Sequence, residues 1–295
     1  MLNNRTSKLV KAFEGWKEGL QFYTKPPEGM YGRVAIVESG GVKINSAELD
    51  IEYEIPFDDD TEANEAEIII YNLSKTTLEA LKYNNPITVT AGYGNDTGII
   101  FEGVISKITT KQEGVDKKTV IKALDDVDLQ ERELEEITYA AGTKASYILK
   151  DLIGRVGLPL AVFSIRRDHT YKDKVNINSG LMDSIRKYAE VCGISVYINK
   201  RKIYARHISE GDNINFTVNV DTGLIESPEE FEEEITAEDY KDVIKGYKLK
   251  MILQHPLTTA AIITLKSRDV SGEYRVRAGK HIFNGSETTT EVEVI

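Results

Sequence analysis

The chain has 295 residues, 41% of them hydrophobic and 29% charged, a composition that suits a globular protein of one to three domains with a sizeable core. Its formal charge of -11 opposes the clustered cations that sequence-independent nucleic-acid binding requires. The single cysteine excludes an intrachain disulfide and points to synthesis in a reducing compartment. No apolar run approaches the roughly 20 residues that span a bilayer, and no signal-peptide core is visible at the N-terminus, so membrane insertion is not expected.

Residues 1-30 stand apart. Leu9, Val10, Phe13, Trp16 and Leu20 fall at helical spacing and predict a short amphipathic segment that Pro26-Pro27 ends. Its apolar face packs either on its own domain or on a neighbouring subunit. Residues 31-135 read as a first β-barrel domain. Strands Tyr31–Glu38 and Val42–Ile55 flank the turn Ser39-Gly40-Gly41, and Glu65–Tyr71 follows. Ser74 is placed to cap a helix over Lys75–Tyr83, and β-structure resumes at Ile87–Tyr93. About six strands and one helix up to Leu124 suit a small closed barrel or sandwich.

Residues 136-210 change character and predict an α/β insertion. One helix carries the apolar stripe Ile148, Leu149, Leu152, Ile153 and Val156 and ends at Gly157; a second runs from about Gly180 to Val191 and ends at Gly193. A hairpin over 194-207 turns at Lys200-Arg201-Lys202, read as a solvated turn. From 211 to 295 a second β-barrel domain is predicted, interrupted by the acidic run Glu229–Glu234 and completed over 243-253 and 262-294. Ile87–Asp125 and Ile262–Ile295 follow one plan: a short strand, a Gly-containing turn, a longer strand, a second polar turn and a closing strand. The predicted fold class is therefore α+β, mainly β: two related small β-barrel domains with an α/β insertion between them.

A search for chemistry predicts no catalytic, cofactor-binding or metal residue, and hence no enzyme and no cofactor. His169, His207, His255 and His281 are scattered without metal-ligand spacing and read as surface or satisfied core histidines. Cys192 has small apolar neighbours and reads as a buried structural thiol. No GxSxG elbow, Walker loop or GxGxxG occurs. Asp126, Asp128 and Glu136 suggest a calcium loop, but Glu131 stands where its turn needs glycine. Asp58-Asp59-Asp60 with Glu62 reads as a solvated loop before it reads as a cation site.

Three groups of residues carry a resemblance. They are Ala66–Ser74 with Ile87–Tyr93 and Phe101-Glu102-Gly103; Ala145–Leu158 with Leu181–Tyr204; and Gly272–Val276, His281 and Thr290–Val294. In order and spacing they resemble phage tail baseplate hub proteins, the late control protein D group and the hub half of type VI secretion spikes. The loop Gln254-His255-Pro256-Leu257 with Thr258–Ala261 departs from the turn many relatives carry there. The resemblance implies a homotrimer whose two related barrels per subunit make a ring of six, joining a sixfold tail tube to a threefold tip or spike. The partners it implies are the tail tube protein, a spike or tail-tip protein, the tape measure protein and other baseplate proteins. DNA would only pass through the channel. The place implied is the tail of a virion or of a bacteriocin particle, made in a bacterial cytoplasm. The acidic balance suggests a channel wall that repels phosphate. Two other functions stay open at this point: a host-surface glycan-binding module, which needs exposed aromatics on one face, and a cell-wall hydrolase, which needs a cleft with a perturbed acid.

Overall fold

The computed structural model describes residues 32-125, 136-237, 240-285 and 287-295. The amphipathic segment 1-30 with Trp16, and Asp126, Asp128 and Glu131 of the calcium-loop reading, lie outside them.

The first β-unit comprises β1 (Arg33–Ser39), β2 (Val42–Asn45), β3 (Ile51–Phe57), β4 (Glu65–Tyr71), helix α1 (Lys75–Ala80), β5 (Pro86–Tyr93), β6 (Asp96–Glu113) and β7 (Asp116–Leu124). Gly40 and Gly41, at φ 59° and 79°, make the tight β1–β2 turn in the left-handed region that glycine adopts without strain. The single strand predicted over Val42–Ile55 is two strands. Asn45 Oδ1 accepts the Ala47 N–H (2.9 Å) and Ser46 Oγ accepts the Ala35 N–H (2.9 Å), a side-chain turn that breaks the pairing before β3. Ser74 caps α1 as predicted, its Oγ accepting the Thr77 N–H at 3.1 Å. The period-two alternation of β3 and β4 buries Ile51, Tyr53, Ile55, Ile68 and Ile70 against Val37, Val89, Ile105 and Ile121. Each such aliphatic side chain contributes about 1.5–3 kcal/mol of burial.

The middle of the chain packs α2 (Ala145–Val156) and α3 (Leu181–Cys192) on short strands: β8 (Ile137–Tyr139) with β10 (Val175–Ile177), and β9 (Leu160–Phe163) with the hairpin β11 (Ser195–Asn199) and β12 (Lys202–Arg206). The predicted stripe of α2 is wholly buried. Both helices end on glycine in the left-handed conformation, Gly157 at φ 87° and Gly193 at φ 67°. The hairpin turn sits on Lys200 and Arg201 at positive φ. It is less solvated than predicted: burial lowers the Lys200 pKa, opposed by the charge of Glu102.

The second β-unit comprises β13 (Asp212–Val218), β14 (Glu229–Ala237), β15 (Tyr240–Ile252), β16 (Ala261–Lys266), β17 (Ser271–Phe283) and β18 (Thr288–Val294). The acidic run does not interrupt the sheet. It is strand β14, held by nine residue pairs with β15. This unit has its own core, centred on Val218, Leu249, Met251, Ile263, Leu265, Val276 and Val294.

Strand order reveals the relation between the units. The first reads β3-β4-β7-β6-β5-β1, with β2 added outside; the second reads β14-β15-β18-β17-β16-β13. Position for position and in chain order these are one topology, except that β13 runs parallel to β16 whereas β1 runs antiparallel to β5. In each unit the long fourth member changes partner midway. β6 leaves β5 and pairs with β7 across a bulge at Ile105/Lys107; β17 leaves β16 and pairs with β18 across a bulge at Val276/Ala278. The extra residue of a bulge bends the strand and lets it serve two partners. The paired plan seen in Ile87–Asp125 and Ile262–Ile295 is thus β5-β6-β7 against β16-β17-β18.

The two units are also one sheet, an open path through the described strands, because Gly279–Phe283 of β17 pairs antiparallel with Tyr53–Phe57 of β3. A Cβ on Gly279 would lie 2.5 Å from the Glu291 carbonyl oxygen and 2.7 Å from the Phe57 ring, so only glycine fits this contact. Beside it, Arg275 Nη1 donates to Asp59 Oδ2 at 2.6 Å and its Nε to the Glu210 carbonyl at 2.8 Å. One guanidinium therefore ties the loop after β3, the end of the α/β segment and β17.

Candidate assembly edges

The residues weighed for chemistry are mostly used in packing. His281 is buried, donating from Nε2 to the Leu257 carbonyl (3.1 Å) while Nδ1 accepts from Thr290 (2.9 Å). His255 meets Asp96 at 2.9 Å, His207 meets Ser209 at 2.8 Å, and His169 lies edge-on to Tyr171. Burial pushes the Cys192 thiol up, away from the reactive thiolate. Among the described residues no group of His, Cys, Asp or Glu could hold a metal. Asp59 of the weighed cation cluster is taken by Arg275, with Arg277 Nε 3.9 Å from its other oxygen. Glu136 is exposed. Large exposed aromatics among the described residues are Tyr83 and Tyr147, one on the first β-unit and one on α2, and they form no aromatic face.

Asp58 carries a measurable consequence. Burial first, then the Asp60 charge, pushes its carboxyl up to about 6. Because the folded state holds this proton more tightly than the unfolded chain, whose Asp titrates near ~3.9, the contribution to stability is full below that value and lost as pH rises through 6. Asn at this position keeps the oxygen that accepts the Asp60 N–H (3.3 Å). Asp58→Asn is expected to gain about 1 kcal/mol at pH 7.5, after discounting ~1.4 kcal/mol per pH unit for partial exposure, and nothing at pH 4. Urea midpoints at the two pH values check it; equal gains at both would rule it out.

What the fold does present is one long sheet with a solvent-facing side and two unlike ends. Across β15, β18, β17 and β3 that side is a lattice of opposite charges: Lys248–Glu293 (3.1 Å), Lys250–Glu291 (3.2 Å), Lys280–Glu291 (3.8 Å) and Lys280–Glu54 (3.2 Å). Each exposed pair contributes only about 0.2–1 kcal/mol. Their effect is on the field: the carboxylates are interleaved with lysines here and make no acidic wall on this side. A shallow groove of about 480 Å³ crosses the lattice above Gly279.

At one end of the sheet, β14 pairs with β15 on one side and with no described strand on the other. Glu229, Phe231 and Glu233 lie on its solvent-facing side, across from Lys248, Gly246 and Ile244. Toward the other end of the path, which runs on from β6 through β5 and β1 to β2, β5 covers β6 only as far as Val104, and Asn84 and Asn85 bond Ile105. From Lys107 to Glu113 the outer edge of β6 meets no described strand, and its solvent-facing residues are Lys107, Thr109, Lys111 and Glu113, beside Lys118 and Lys122 of β7. The edge of β14 is thus acidic and the uncovered edge of β6 basic. Nothing in the composition marked these residues, because exposed Lys and Glu on a strand look alike until the neighbouring strands are known.

No family model and no curated protein matches the chain by sequence. Solved structures do match. The 43 kDa tail protein of prophage MuSo2 from Shewanella oneidensis superposes with a TM-score of 0.64 at 7% identity, over 89% of this chain and 97% of that one. A tail protein from Neisseria meningitidis MC58 gives 0.64 at 11% identity, over 90% and 96%. The E. coli c3393 protein, a type VI secretion component structurally similar to the T4 tail proteins gp27 and gp5, gives 0.59 at 10% identity, over 88% and 76%. The chain has the phage tail-protein fold. At these identities the likeness is one of fold, and it extends over nearly the whole length, including the α/β segment between the two β-units. The resemblance read from Ala66–Ser74, Leu181–Tyr204 and Thr290–Val294 therefore agrees with the fold of these tail and type VI proteins.

Proposed function

We propose that this protein is a structural hub of a phage tail or phage-derived particle: three copies form a ring that adapts a sixfold tail tube to a threefold tip or spike. The observation that carries the reading is the repeated strand order, β3-β4-β7-β6-β5-β1 against β14-β15-β18-β17-β16-β13, within one chain. Three copies of a chain with two like units offer six similar surfaces, which is what a sixfold partner needs; a closed ring of head-to-tail contacts is the usual way to arrange them. The units are 31-135 and 211-295, with 136-210 as an inserted domain. On this reading the protein has no catalytic activity. Its partners are the tube protein on one side, the spike or tip protein on the other, and the tape measure and other baseplate proteins around them. DNA passes through the ring without being held, and the alternating Lys and Glu of the exposed sheet face suit that by offering phosphate no continuous cationic surface.

Native mass measurement and negative-stain imaging of the full chain, with and without its tail tube protein, test this. The expected result is a species of three 33.1 kDa chains with six lobes around a central opening. A species with any other copy number, or a monomer that persists beside the tube protein, would overturn it.

A further inference from the structure

The repeat makes a specific statement about how one copy meets the next. Within the chain, the second half of β17 pairs with β3, aligning Lys280 with Pro56 and Ile282 with Glu54. The strand equivalent to β17 in the first unit is β6, whose second half meets no described strand on its outer side; the strand equivalent to β3 in the second unit is β14, whose outer edge likewise meets no described strand. The described residues thus contain one finished junction and the two unmatched halves of another. We propose that β6 of one copy pairs antiparallel with β14 of a second copy of this chain, in the register of the β17·β3 junction. This rests on the ring reading above and names the surfaces that would close it.

The register follows from the pairings. The bulges equate Lys107 with Ala278, hence Thr109 with Lys280 and Lys111 with Ile282. Opposite Ile105 stands Ala123, and opposite Val276 stands Val294, so those two correspond; through β4 and β15, Glu67 then corresponds to Lys248, and Glu54 to Glu229. The junction between copies accordingly places Lys111 opposite Glu229, Thr109 opposite Phe231 and Lys107 opposite Glu233. Opposite charges meet at both ends of the contact. Strand direction agrees as well: from β14 to β6 the path has eight strands, every neighbouring pair antiparallel, so β6 runs opposite to β14 and a further copy continues the pattern. Lys107, Lys111 and Glu229 have no ion-pair partner among the described residues, whereas Glu233 already bonds Arg277 (3.2 Å). Unpaired backbone groups along an edge supply the hydrogen bonds, and cross-strand charge pairs set register and partner. Lysines on an edge also serve, in other proteins, to prevent pairing; the acidic complement at the correct register is what distinguishes this edge.

The test uses the full chain, followed by sedimentation over a range of concentrations at low and high salt. Lys111→Glu alone and Glu229→Lys alone are each expected to weaken association at least about tenfold, and the two together in one chain to restore it. Thr109→Cys with Phe231→Cys is expected to form disulfides between copies under mild oxidation; Thr109→Cys with Glu232→Cys, one residue out of register and on the other face, is not. Wild-type assembly that is indifferent to the reversals and gives no cross-link overturns the edge contact and leaves the ring reading standing. A chain that neither assembles nor cross-links at any concentration, also in the presence of its tail tube protein, overturns both. Reversals that cause precipitation instead of dissociation show that the lysines guard the edge, and reversals that only reduce retention on immobilised DNA assign them to nucleic acid; either result overturns the proposal.

Discussion

Arg275→Ala is expected to destabilise the fold by roughly 3–5 kcal/mol, the range for removing one partner of a buried ion pair. The Arg275 side chain is 5% exposed and the Asp59 side chain 9%. Burial raises the Asp59 carboxyl despite the two guanidinium groups beside it, so its charge is tolerated only because they are there. Without Arg275 the carboxylate is left in a dry site or takes up a proton, and the Glu210 carbonyl loses its donor. The pair lies where three segments of the chain meet, so the loss is expected in the cooperative unfolding of both β-units and not as fraying of one. Asp59→Ala is expected to cost less, since one Nη of Arg275 is already buried without a partner and Glu210 remains bonded. The double variant should lose clearly less than the sum of the singles. Urea unfolding of the four proteins checks this. Additive losses would show that the contact is incidental to the junction.

Acid is expected to unfold the protein through His281. Burial, with the Lys200 charge second, lowers its imidazole to about 3, while an unfolded histidine titrates near ~6.5. The folded state holds this proton less tightly than the unfolded one. The stability is therefore fully present above 6.5 and is lost progressively as pH falls toward 3, on the order of 4 kcal/mol at ~1.4 kcal/mol per pH unit. The hydrogen bond to the Leu257 carbonyl works the other way, and burial outweighs it. With Nε2–H given to the Leu257 carbonyl, the neutral ring has Nδ1 free to accept the Thr290 hydroxyl, whose oxygen also accepts the Gln254 N–H at 2.9 Å. The ring also lies 5.0 Å from Phe57, across the junction between the units. His281→Gln, whose amide can donate to Leu257 and accept from Thr290, is expected to flatten the stability profile between pH 6.5 and 4. A variant as acid-labile as the wild type would assign the transition to other groups.

Local patterns along the chain determined much of this protein. The stripe Ile148–Val156 settles on one face of α2, because side chains at 3.6-residue spacing can share one side only as a helix, and Gly157 and Gly193 stop the helices because only glycine takes the left-handed conformation cheaply. Ser74 and Gly40-Gly41 are equally local. The likeness of Ile87–Asp125 to Ile262–Ile295 is also visible in the residues, since both must alternate apolar and polar positions around turns at matching places. Tertiary structure decided the rest. Glu229–Glu234 breaks a strand pattern on paper, yet β14 forms, because its partner strand supplies Lys245 and Tyr247 across from it, together with an entire ladder of backbone bonds. Val42–Ile55 splits where Asn45 turns the chain by bonding Ala47 and Ser46 bonds Ala35 back on β1, a turn that overrides the strand propensity on either side of it. The joining of β17 to β3, the pairing of Asp59 with a residue 216 positions away, and the edges of β6 and β14 that meet no described strand are long-range facts of the same kind. Strand propensity says that a segment is extended; which segment lies beside it, and whether any does, is decided by packing of the whole chain.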